Sequence, residues 1–137
     1  MKNIGENDKY KRLFNFFGRW VRLNEEKITV GDFLRDRNFQ NVAIYGMGAL
    51  GRHLLFELRE VGINVVYSID QRSDKLKLDI PFLDWADKEA LPEVDLLIVT
   101  AITDYDAIEK EICEVREYPV ISLEDIMREM EKLRNIG

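Results

Sequence analysis

Short, continuously apolar runs alternate along this chain with longer stretches in which apolar residues return every three or four positions. The runs read as buried strands and the stretches as amphipathic helices. Over residues 9–24, Tyr10, Leu13, Phe14, Phe17, Trp20 and Val21 make one wide helical stripe. Thr29 opens a shorter helix through a capping box in which Asp32 stands for the usual glutamate. Phe33, Leu34 and Arg37 follow, and the chain turns at Asn38. Val42 to Tyr45 form a first strand run, and residues 49–60 a helix with Leu50, Leu54, Leu55 and Leu58 inward. Residues 64–70 read as a second strand and the polar residues 71–78 as a loop with a fragment of helix.

The apolar piece 80–83 contains Pro81, which has no N–H to give a ladder and so belongs at a sheet edge. Asp84 caps a brief helix that Leu91-Pro92 ends. Residues 93–100 read as the strongest later strand, apolar without interruption as in a sheet covered on both faces. Residues 106–116 read as a helix capped by Asp106, with Ile108, Ile112 and Val115 inward. Residues 119–122 supply a fifth strand. Ser122 then caps the last helix, whose stripe is Leu123, Ile126, Met127, Met130 and Leu133.

Strands that alternate with helices predict an α/β fold with a doubly wound parallel sheet, because parallel neighbours need crossover connections. For five strands the expected order is 3-2-1-4-5, with a ligand crevice where the order reverses between the first and fourth. Residues 1–37 form an N-terminal helical extension and 38–137 the sheet domain, with no linker between them. The aromatic stripe of the extension must cover something, either the flank of this domain or the same helix of a second copy, which would make a homodimer.

Composition narrows the class. With 46% hydrophobic and 34% charged residues the chain is globular, and no apolar run reaches the roughly 20 residues needed to span a bilayer. Residues 1–8 lack the apolar core of a signal peptide, so a cytoplasmic location is expected. The net charge of −6 disfavours nucleic acid as a partner. The basic cluster Lys9, Lys11, Arg12, Arg19 and Arg22 reads as a solvated helix face. Cys113 is the only cysteine, which excludes an internal disulfide and a cysteine-built metal site, and beside Ile112 it reads as buried and inert.

The candidate chemistry lies at Gly46, Gly48 and Gly51, spaced G-x-G-x-x-G between a strand and a helix. In a dinucleotide-binding turn the first glycine makes the bend and the second admits a phosphate to the backbone. The third lets the helix pack closely. The new helix would offer its first amides, over Met47, Ala49 and Leu50, to an anion. Asp70 ends the second strand about 20 residues on, where an acid accepts ribose hydroxyls. Arg72 could pair with a 2′-phosphate or lie on the surface, so the choice between NAD and NADP stays open. The backbone of Thr100, Ala101, Ile102 and Thr103 would meet the far half of the ligand. The bland alternative is a turn that keeps glycines for packing and binds nothing.

No catalytic or metal-binding residue is assigned. The only histidine, His53, reads as a packed or solvent-facing helix residue. Glu109, four residues after Tyr105, breaks the tyrosine-x-x-x-lysine pair of short-chain dehydrogenases. Dehydrogenases with this turn usually carry a second domain over the nicotinamide, so catalysis by the isolated chain is not expected. Ile44-Tyr45 stand where methyltransferases place an acid before the glycines. Asp104 serves equally as a ligand contact or a turn residue.

The segments 41–70 and 95–100, with Asp104-Tyr105 and 120–126, carry a resemblance. In that combination residues 38–127 resemble the small NAD(P)-binding-type Rossmann domains of bacterial surface-polysaccharide systems. Those domains occur alone or fused to glycosyltransferases. The chain is also similar to the N-terminal nucleotide-sugar-binding domain of bacterial sugar acyltransferases, without their left-handed repeat domain. The resemblance implies a module for NAD(P) or a nucleotide sugar, with Gly46, Gly48 and Asp70 facing it and a glycosyltransferase as a possible partner. A small NAD(P)-dependent oxidoreductase or epimerase component, and a ligand-free interaction scaffold, are the alternatives.

Overall fold

The computed structural model describes residues 4–70 and 79–136. The elements are α1 (Ile4–Glu25), α2 (Val30–Arg35), β1 (Asn41–Tyr45), α3 (Ala49–Glu60), β2 (Asn64–Asp70) and β3 (Phe82–Asp84), followed by β4 (Leu96–Val99), α4 (Tyr105–Cys113), β5 (Val120–Ser122) and α5 (Leu123–Ile136). Short 3₁₀ turns cover Trp85–Ala90 and Ile102–Asp104. The five strands are all parallel and run in the order β3-β2-β1-β4-β5. This is the α/β doubly wound sheet that the alternating pattern predicts, with its reversal between β1 and β4.

Side chains alternate across β1 and β4. Val42, Ile44, Leu96 and Ile98 enter a core with α1, α2, α3 and α5. Ala43, Tyr45, Leu97 and Val99 enter a second core with Ile108 and Ile112 of α4. β2 departs from that alternation, since Val65 pairs with Val42 but Tyr67 with Ala43. The extra residue is a bulge at Val66, and it sends Val65 and Tyr67 to opposite cores. Pro81 precedes the edge strand β3, and its carbonyl accepts from Ser68 N–H. The loop expected at 71–78 lies outside the described residues.

Local signals set most element ends. Thr29 Oγ1 accepts from Asp32 N–H at 3.0 Å, and Ser122 Oγ accepts from Glu124 N–H at 3.1 Å. Asn38 turns the chain in the left-handed region (φ 66°). Asp106, by contrast, is not a cap. α4 begins one residue earlier with Asp104 flanking it, and Asp106 falls in the first turn, where its charge favours the helix dipole. α4 ends at Cys113, which is exposed rather than buried because the helix turns only Ile108 and Ile112 inward.

α1 differs from its sequence stripe in rotation. Phe16, Trp20 and Leu23 are buried and Leu13 and Phe17 half-buried, while Tyr10, Phe14 and Val21 are exposed. The helix lies on α5 of its own chain through Arg12–Glu124 (2.9 Å) and a two-bond pair between Arg19 and Glu131 (2.6 and 3.0 Å). That pair holds the Glu131 carboxyl below the usual range. A buried carboxylate, Glu57 of α3, fixes the opposite side. It accepts from Trp20 Nε1 and from Val30 N–H, each at 2.7 Å, and lies 3.0 Å from His53 Nε2.

Asp95 stands at the start of β4 and accepts from the amides of Asn41 and Gln40, which lowers its carboxyl from the ordinary value. The stabilisation this gives is present above the unfolded value of about 3.9 and is lost as pH falls from there through the lower folded-state value. Asp95→Ala is therefore expected to lower the urea midpoint at pH 7 and to converge on the parent chain in acid. A gap that does not narrow with acidity would argue against the two amide bonds.

Candidate functional site

The turn after β1 is built by its first and third glycines. Gly46 has φ 96°, a conformation that disfavours any side chain, and a Cβ there would collide with Thr100 Oγ1. That hydroxyl closes the bend, lying 2.8 Å from the Gly46 carbonyl oxygen and 3.0 Å from that of Tyr45. A Cβ on Gly51 would overlap the Gly46 carbonyl oxygen. Both positions need glycine for the protein's own contacts. Gly48 does not: it has an ordinary φ of −75°, and no atom lies within 4 Å of where its Cβ would stand.

Two amides of the turn are engaged. Gly46 N–H donates to the Ile69 carbonyl at 2.8 Å, continuing the β1–β2 ladder, and Met47 N–H donates to Asp70 Oδ2 at 3.0 Å. Among the described residues the amides of Gly48, Ala49, Leu50 and Gly51 have no acceptor. They form the start of α3, where helix geometry leaves donors over and the dipole is positive.

An open cavity of about 870 Å³ lies between this turn and α1, over the carboxyl ends of β1 and β4. Of the residues expected at the site, Gly46, Gly48, Ala49, Leu50, Asp70, Thr100, Ala101, Ile102 and Thr103 line it. Met47 does not, for its side chain is fully buried in the core and its amide is held by Asp70. Gly51 is buried beneath the turn. Arg72 lies outside the described residues.

The far wall went unread in the sequence. It comes from Lys9, Leu13, Phe14 and Phe17 of α1, with Ala107, Ile108 and Glu111 of α4. Lys9 Nζ lies 3.8 Å from Asp104 Oδ2, both largely exposed, a weak pair at most. The four-residue steps from Lys9 to Leu13 to Phe17 put these side chains on one helix face, but spacing does not say what that face meets. His53 is not in the cavity. Its ring packs 4.6 Å from Trp20 and its Nε2 lies 2.8 Å from Asn24 Oδ1 and 3.0 Å from Glu57.

Sheet order and glycine turn together define the class: this is a Rossmann-like doubly wound α/β protein. No protein-family model matches the sequence, and no curated protein matches it. Among solved structures, the chain is similar to a probable 2-hydroxyacid dehydrogenase from Rhizobium etli CFN 42, determined in complex with NADP, HEPES and L(+)-tartaric acid. The two are 14% identical over 67% of this chain and 31% of the other, with a TM-score of 0.39. The chain thus spans under a third of that protein's length. So low a score carries no weight, and the fold assignment rests on the strand order itself. No helix among the described residues is long and apolar enough to cross a membrane.

Proposed function

We propose that this chain is a nucleotide-binding module whose ligand lies across the glycine turn. The observation that carries the reading is Gly48. Gly46 and Gly51 are required by the protein's own packing, whereas the missing side chain of Gly48 faces open space beside amides that lack acceptors. A pyrophosphate oxygen fits both facts, since it needs close approach to the backbone and donors to meet it. Asp70 already orients the turn through Met47 N–H and borders the cavity, where its carboxylate can also accept ribose hydroxyls. The same charge would oppose a 2′-phosphate, which favours NAD over NADP.

NAD and a nucleotide sugar both present a pyrophosphate. The resemblance to surface-polysaccharide modules supports sugar metabolism as the setting and a glycosyltransferase as a partner. A ligand-free scaffold is the second reading, and the observation on its side is that Asp70 has a structural task in the turn.

A thermal-shift panel of NAD, NADP, UDP-sugars and CDP-sugars separates these readings, because a ligand of the folded state raises the melting temperature. Gly48→Val is expected to leave stability within about 1 kcal/mol of the parent, as an exposed cap substitution does. It should abolish the ligand-induced shift. A retained shift in that variant would remove the turn from the site, and silence across the panel would favour the scaffold.

A further inference from the structure

We propose that α1 is the specificity element of the cavity, its aromatic face receiving a flat, cationic ring at the far end of the nucleotide in preference to a sugar. This deepens the nucleotide reading and rests on it. The far half of the cavity is faced by Leu13, Phe14 and Phe17 from α1 and by Ile102 and Ile108 across from them. Phe14 is 79% exposed, a large aromatic surface left at the cavity mouth. Phe17 is half-buried and braced from behind, its ring centroid 6.2 Å from that of Trp20 and 5.8 Å from that of His53. A braced ring and an open one beside it suit a planar group that stacks.

Charge selects among planar groups. Among the described residues the carboxylates lining this end are Asp104 and Glu111, against the ammonium of Lys9, which already lies near Asp104. Such a surplus repels a phosphorylated sugar and attracts a cation, and aromatic faces add to that attraction. A neutral hexose can lay its C–H face on these rings but brings no positive charge for the carboxylates to attract. The pyridinium of oxidised NAD has both the flatness and the charge, and ADP-ribose is the same molecule without that ring.

Titration calorimetry with NAD⁺, NADH and ADP-ribose tests the proposal. The parent chain is expected to bind NAD⁺ about tenfold more tightly than ADP-ribose, the scale of a desolvated cation–π contact. Phe14→Ala, at an exposed position that the core does not use, should remove most of that gap while ADP-ribose affinity stays within about twofold. Glu111→Gln should shrink the preference for NAD⁺ over NADH. Equal affinity for NAD⁺ and ADP-ribose, or a gap that survives Phe14→Ala, would overturn the role given to α1 and leave the glycine-turn site standing. Failure of all three ligands to bind would overturn the role given to α1, and the nucleotide reading falls with it only if the UDP- and CDP-sugars of the thermal-shift panel are silent too.

Discussion

Glu57→Ala is expected to cost about 3–5 kcal/mol of folding stability, read as a fall in the urea midpoint. The carboxylate is 4% exposed and accepts from two other helices, from the Trp20 indole of α1 and the first amide of α2, with His53 of its own helix 3.0 Å away. Alanine would leave the indole and amide hydrogens buried without acceptors and open a void between Trp20, Val30 and His53. Glu57→Gln keeps a carbonyl oxygen for one of the two donors and turns an NH2 on the other, so it should lose less, about 1–3 kcal/mol. The consequences reach the cavity, because Trp20 braces Phe17. Stability unchanged in the alanine variant would mean that the carboxylate does not hold the N-terminal helices.

The second large effect separates two glycines three residues apart. Gly51→Ala drives a methyl group into the Gly46 carbonyl oxygen, a backbone atom fixed by the turn and by Thr100. A loss of about 2–4 kcal/mol is expected, the upper range of overpacking, since no side chain can yield. Gly48→Ala meets open space at an ordinary φ and should stay within about 0.5 kcal/mol of the parent. Chemical denaturation of the two variants side by side measures the difference. Equal stabilities would show that the third glycine is not a packing requirement.

What the sequence made legible follows from where the information sits. β2 occupies the residues predicted for it and α3 begins just after Gly48, because apolar runs and a glycine turn are local signals. The order of the sheet follows from chirality and crossover connections, which hold for any such alternation. The rotation of α1 is a different matter. Tyr10, Phe14, Phe17 and Val21 form one apolar line, and Leu13, Phe16, Trp20 and Leu23 form another beside it. Periodicity cannot choose between adjacent lines when both are apolar. The choice is made by ion pairs to α5 and by a carboxylate on α3, each far away in sequence.

The same reasoning covers the site. Gly46, Gly48 and Asp70 were readable from spacing, and they do come together. Glu57 was passed over because it sits within the leucine stripe of α3, where an acid looks like a solvent-facing interruption. Its one local sign is His53, four residues earlier, on the same helix face. Lys9 and Phe14 entered the cavity only through tertiary packing.

The union of α1 with α5 has a consequence for synthesis. Arg12 and Glu124 are 112 positions apart, so the helix made early waits for a partner that leaves the ribosome far later. Until then Phe16, Trp20 and Leu23 lack the cover of Ile126, Met127 and Met130. A nascent chain stalled before Leu123 therefore displays a greasy aromatic surface, the kind that chaperones hold and that aggregates when they do not.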